Sequence, residues 1–196
     1  MATTVAGVDA APGGWAVVVL VDGIVREART LRTFAEVEAD LIAVDMPFEL
    51  QSGGWRSADY AAKRMLGARH STIFMTPPAA VVDCDDYPTA NARCRDLTGG
   101  GLSKQMFNLF SRIREVRAAG VQVYECHPEL AFMRLAGHVL PSKRTADGLG
   151  MRRRLLAGLE LPPTATHDVL DAAACALAAA DIADGRGRSI DGVIWY

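Results

Sequence analysis

The first third of the chain is a series of short apolar runs cut by turn residues. That punctuation restricts the fold more than any other feature. In "VAGVDAAPGGWAVVVL", residues 5–9 and 15–21 read as strands joined through "AAPGG". Asp22-Gly23 is a two-residue hairpin signal, and it leads into a third strand at Ile24–Leu31. Three consecutive strands joined by hairpins form an antiparallel meander. "TFAEVEAD" then predicts a helix, with Thr33 as N-cap and Glu36 three positions on. "LIAVDMP" follows as a buried strand stopped by Pro47. A strand–helix–strand unit of this kind adds a parallel strand.

The 196 residues suffice for one domain, half of them apolar and 22% charged, the balance of a packed globular chain. Basic and acidic side chains number 21 and 23, which argues against coating nucleic acid by bulk charge but leaves room for a local basic patch. Cys84, Cys94, Cys126 and Cys175 form no C-x-x-C pair, so zinc has little support. With no secretory signal in view, reduced thiols in the cytoplasm are the expectation. The apolar run at residues 15–21 is too short to span a bilayer, so no membrane partner is expected.

Further on, "SADYAAKRMLG" reads as a helix opened by Ser57 and ended by Gly67, and "YPTANARCRDL" as another. "GGGLSKQMFNLFSRIREVRAAG" has the spacing of one long amphipathic helix. "VQVYE" is the next strand, "PELAFMRLAG" and "TADGLGMRRRLLAGL" are helical, and a last helix begins near "THDVLDAAACALAAADIADG". The expected architecture is an α/β domain over residues 1–196. It has a mixed five-stranded sheet, the meander plus parallel strands, flanked by helices, with a helical insertion at about residues 52–119 after strand four.

The acids fall at element ends. Asp9 ends the first strand, Asp45 the fourth and Glu125 the fifth, while Asp168 and Asp171, three apart, share a face at the start of the last helix. Open α/β sheets bind ligands beyond the carboxyl ends of their strands. Carboxylates gathered there raise one another's pKa, a conflict that a divalent cation removes, and all-oxygen ligands select Mg2+ or Mn2+. Local explanations compete. Asp168 can be a helix N-cap, with Asp171 favouring the helix's positive end. Asp9 and Asp45 can be turn residues, and Glu125 can pair with an arginine.

Several segments in order resemble one family: "GVDAAPGGW", "AVDMPFEL", "AAKRMLGARHSTIFMTPP", "GGGLSKQMFNL", "YECHPELAF", "KRTADGLGMRRRLL" and "HDVLDAAACAL". Nearly the whole chain is similar to the domain of unknown function 429 family, described as predicted nucleases of the ribonuclease H-like superfamily. "DVLDAAACALAAA" resembles the last helix of Holliday-junction resolvases. The resemblance implies a ribonuclease H-like fold and a metal-dependent nuclease. It makes Asp9, Asp45, Asp168 and Asp171 metal ligands and catalytic residues, with Glu125 a further catalytic candidate. Two positions depart from the family pattern: Ala10 where a glycine commonly follows the first aspartate, and His167 where an acid often precedes the last-helix aspartate.

Basic residues supply candidate phosphate contacts. Arg69 belongs to a strip with Arg56, Lys63 and Arg64, Lys104 follows "GGGLS", and Lys143 lies with Arg144 and residues 152–154. Charge runs of this kind are also ordinary solvated faces. The functional expectation is hydrolysis of nucleic-acid phosphodiester bonds with carboxylate-bound Mg2+ or Mn2+. The alternatives are a nucleotide-phosphate-binding protein of kinase or ATPase type, or a non-catalytic binding protein on the same fold. The oligomeric state is left open.

Overall fold

The structure, a computed structural model, describes residues 3–119 and 122–196. By backbone contacts the chain divides into two compact units, Met1–Met46 with Ala119–Tyr196, and Pro47–Ala118.

The first unit contains the expected sheet. β1 (Thr4–Ala11), β2 (Gly14–Val21) and β3 (Ile24–Leu31) form the antiparallel meander, and β4 (Leu41–Asp45) and β5 (Val123–Glu125) extend it. The order is β3-β2-β1-β4-β5, with β4 parallel to both β1 and β5. This is the mixed five-stranded arrangement, a meander plus parallel strands, that the sequence predicts. Asp22 and Gly23 both take positive φ, as the two-residue hairpin turn requires. The edge strand β3 is charged on its exposed positions, with Arg26, Glu27 and Arg29, which discourages pairing with another chain.

One face of this sheet is covered by the last helix. In the second unit α1 (Ser57–Leu66), α2 (Ala79–Val82), α3 (Tyr87–Thr98), α4 (Lys104–Phe107) and α5 (Phe110–Arg117) pack together. In the first, α6 (Pro128–Ala136), α7 (Ala146–Leu155) and α8 (His167–Ala183) follow β5. Alternation along β1 sends Val5, Gly7, Asp9 and Ala11 to one face. Val5 and Ala11 join Ala16, Val18, Leu20, Leu41 and Ala43 in a core with the alanines of α8. The contact is closest at Gly7, where an added Cβ would lie 2.0 Å from both Ala172 O and Ala176 N. Only a residue without a side chain lets the helix backbone rest on the strand there. A closing hairpin, β6 (Ser189–Ile190) with β7 (Ile194–Trp195), is not among the expected elements, although Asp191-Gly192 between the strands is the same turn signal as Asp22-Gly23 and both residues take positive φ.

Two expected helices differ. "TFAEVEAD" contains only one 3-10 turn, Phe34–Glu36, although Thr33 N does donate to Glu36 Oε1 at 3.1 Å as the predicted cap requires. Phe34 is drawn inward by an edge-to-face contact with Trp15 (centroids 5.3 Å apart), and the chain continues extended into β4. The long amphipathic helix is interrupted at Asn108–Leu109, giving α4 and α5. Ser103 caps α4 by accepting from Met106 N, and Phe107 packs edge-to-face on both Tyr87 and Phe110. Gly120 and Val121, the ends of that expected helix and of the expected fifth strand, lie outside the described residues.

Within the second unit Asp59 is fully buried. It accepts from Arg56 Nη2 at 2.5 Å and from Thr76 N at 2.7 Å, so its charge is met from two sides. The four cysteines are free and buried. Among the described residues no helix is long and apolar enough to cross a membrane.

Because the Gly7 contact is backbone against backbone, no side-chain rotation relieves a Cβ there. Gly7→Ala is expected to cost at least about 2 kcal/mol. Urea denaturation checks this; a loss below about 0.5 kcal/mol, the scale of neutral surface changes, would mean that α8 does not lie on β1 as described.

Candidate functional site

The chain builds β1, β2 and β3 outward from β1 and then returns to place β4 on β1's other side. β1 and β4 therefore flank the point where the strand order reverses, where open sheets of this kind bind ligands. Asp9 and Asp45 are register partners across that pair. Adjacent strands lie about 4.8 Å apart, so the two carboxylates leave the same face within one side chain's reach.

α8 brings the second pair of acids. Its N-cap is Thr166, whose side chain accepts from Val169 N, so Asp168 is not the cap. Asp168 sits in the first turn and Asp171 one turn further. Ala172 and Ala176 lie against Gly7, which sets the start of the helix beside Asp9, two residues along β1. Asp9 and Asp171 are buried, and Asp45 and Asp168 are partly so.

The electrostatics record this proximity. Burial pushes Asp9 well above the usual carboxylate range, reinforced by the charges of Asp45, Asp171 and Asp168. Burial likewise raises Asp45 to about 7 and Asp171 to about 6, with the Lys143 ammonium working the other way in both cases. Lys143 Nζ donates to Asp171 Oδ2. Burial favours loss of its proton, but Asp171, Asp9 and Asp45 together hold the ammonium above its ordinary range.

Glu125 does not join this group. Its register partner is Val44 rather than Asp45, which puts it on the sheet's opposite face. Cys126, on the α8 side of the sheet, belongs to the core. Glu129, in the first turn of α6 beyond the cap position of His127, is an acid the sequence reading passed over. Its charge acts on both Asp45 and Asp171, and it accepts from Arg152 Nη2 at 2.7 Å in a buried pair. The "HPE" segment was the signal available for it. His167 is an exposed first-turn residue of α8. Arg69 and Lys104 belong to the second unit. Arg69 lies in the 3-10 turn Gly67–Thr72, and the Lys104 ammonium sits 5.6 Å above the Tyr87 ring.

As the side chains are placed, no three acidic, histidine or cysteine groups among the described residues close around one point as a metal would require. The donor chemistry still fits a hard divalent ion. The acids gathered there are all carboxylates, among the described residues the Lys143 ammonium is the one hydrogen-bond donor to them, and that ammonium is itself a cation drawn into the group.

Sheet order and site together define an α/β protein with a mixed five-stranded sheet and acids gathered at its strand-order reversal. The chain belongs to the family described as protein of unknown function (DUF429), whose model matches residues 7–193. A solved structure described as "Thermus thermophilus RuvC structure" is similar over 95% of this chain and 99% of its own, at 15% identity and a TM-score of 0.44. No curated protein matches.

The raised acids set a pH dependence. Asp45 binds its proton more tightly folded than unfolded, so its contribution to stability is full below about pH 4, its unfolded range, and is lost as pH rises through about 7. Asp171 acts in the same direction, up to about 6. The metal-free protein is expected to melt at a lower temperature at pH 8 than at pH 5, and Asp45→Asn to reduce that difference. Calorimetric melting across this range checks it; the same pH dependence in the variant would contradict the burial of Asp45's charge.

Proposed function

We propose that this protein is a divalent-metal-dependent nuclease that hydrolyses phosphodiester bonds of nucleic acid in the cytoplasm. The observation that supports this reading is the gathering of Asp9, Asp45 and Asp171, with Asp168 close by, at the strand-order reversal. A structural role accounts poorly for the group, because acids that raise one another's pKa lower the stability of the fold at neutral pH.

In this reading Asp9, Asp45 and Asp171 hold Mg2+ or Mn2+ through their carboxylate oxygens, and Asp168 is the outer member of the set. Such an ion supplies Lewis acidity and a water that loses its proton near neutral pH. The rigid parts of the site are the two strand ends, fixed by the β1–β4 ladder, and α8, fixed on Gly7. Together they hold the carboxylates in place before substrate arrives, so little reorganisation is left for the reaction. Lys143 offers the ammonium nearest the group, suited to a phosphate oxygen as a point charge. Glu125 stands outside this reading.

Asp9→Asn keeps the size and polarity of the side chain and removes its charge. Cleavage of a nucleic-acid panel (single-stranded, duplex and branched DNA, and RNA) with Mn2+ is expected to fall at least about 100-fold while circular dichroism stays unchanged. Wild-type-level cleavage by the variant would remove Asp9 from the site. Turnover of ATP, with no polymer cut by the wild type, would instead favour the nucleotide-phosphate reading.

A further inference from the structure

The cation that faces the acids is a lysine in a chain that almost always uses arginine. Its lysines are Lys63, Lys104 and Lys143. An arginine would present a planar fork, whereas an ammonium is a compact, strongly hydrated point charge, the nearest a side chain comes to a hard metal ion. Lys143 Nζ donates to Asp171 Oδ2, and its charge also acts on Asp9 and Asp45. The pair is lopsided in exposure: the Asp171 side chain is 4% exposed and that of Lys143 37%. The lysine reaches in from the rim and can withdraw without disturbing the core.

The backbone that carries it is held independently of that ion pair. Arg152, 1% exposed, donates from Nη1 to Pro141 O and to Gly148 O, both at 2.9 Å, and from Nη2 to Glu129. Thr145 accepts from Gly148 N as the cap of α7, and its hydroxyl donates to Ser142 O. Residues 141–145 are thus tied at both ends to α6 and α7, and only the four-carbon side chain of Lys143 need move.

We propose that Lys143 is the resident counter-ion of the acidic group: its ammonium holds the place that a divalent ion takes, and loading of that ion drives it off Asp171 toward solvent, where it is available to a substrate phosphate. This rests on the reading of Asp9, Asp45 and Asp171 as metal ligands. Two cations on one small set of carboxylates repel each other, so a divalent ion bound there weakens the hold of Asp171 on the ammonium.

The test is Mn2+ binding by the full chain, measured by titration calorimetry for wild type, Lys143→Met and Lys143→Arg. The methionine variant is expected to bind Mn2+ at least about tenfold more tightly, because a charge-assisted hydrogen bond no longer has to be broken. The arginine variant keeps a cation and is expected to bind no more tightly than wild type. Equal or weaker binding by a folded methionine variant overturns the counter-ion role and leaves the metal reading standing. No Mn2+ binding by either protein overturns both. A second measurement needs no variant: acetylation of lysines by an activated ester, read by mass spectrometry, is expected to rise several-fold at Lys143 on Mn2+ saturation, with Lys63 and Lys104 as internal references. Unchanged labelling of Lys143 at saturating Mn2+ overturns the proposal.

Discussion

The seating of α8 directly on β1 is the contact on which the rest of the first unit depends. Gly7 removes the side chain that would separate them, and Ala172, Ala173 and Ala176 keep the helix surface thin. The helix axis therefore comes closer to the sheet than a leucine-faced helix would allow. Close seating also fixes position along the strand. With Ala172 and Ala176 over Gly7, the first turns of α8 must fall beside the carboxyl end of β1, where Asp9 is. One packing event thus joins the ends of two strands to the start of a helix more than a hundred residues later in the chain.

That arrangement is costly in charge. Asp9, Asp45 and Asp171 each hold their protons above the usual range because burial and neighbouring carboxylates oppose ionisation. The fold offsets part of this with Lys143, whose ammonium is in turn stabilised by the acids. A second offset lies behind it. Glu129 and Arg152 form a buried pair whose guanidinium also satisfies two carbonyls and lies over the Phe132 ring at 5.2 Å. Breaking such a pair leaves a buried charge unmatched and costs far more than the pair contributes. Its role here is best read as positional. It secures the loop that carries the one lysine of the first unit.

The parts legible in the sequence were those set by local physics. Period-two apolar runs and Asp22-Gly23 specify the meander with little help from the rest of the chain, and β3 begins and ends where the pattern says. The start of α8 was legible from the small apolar residues that follow, although its cap is Thr166 and not Asp168, the residue the sequence offered. The predicted neighbourhood of Asp9 and Asp45 followed from strand order. Most of what escaped depended on partners remote in sequence. "TFAEVEAD" has helical residues, but Phe34 is taken by Trp15 and only one turn forms. The stretch from Lys104 to Arg117 has one hydrophobic period yet bends at Asn108, where the packing of Phe107 against Tyr87 overrides the period. Glu125 ends a strand just as Asp45 does, but it pairs with Val44, one residue out of step. A shift of one residue in a strand reverses the face, and no reading of the strand's own residues reveals its partner's phase. Glu129 was missed for the opposite reason: it reads as an ordinary first-turn acid of α6, which it also is.

These observations bear on why an acidic centre persists in a chain that would be steadier without it. The helix carrying Asp168 and Asp171 is otherwise well suited to a core, with its middle turns buried and alanine at most contact positions. Replacing Asp171 by another alanine would extend the apolar face without a clash and remove both the buried charge and the need for Lys143. The strands are similar: Asp9 interrupts β1 two residues before its end at Ala11, although the sequence pattern ends the strand at Asp9, and Asp45 closes β4, each after a run that an apolar residue would continue. At each position an apolar residue would be cheaper, and at each the chain has an acid in the same neighbourhood at the β1–β4 edge. Turn formation explains an aspartate at a strand end, and helix polarity explains one in a first turn. Neither explains Asp171, which is past the first turn, buried, and bonded to a lysine that the fold holds in position by separate means. The proposed divalent ion would account for all of them at once.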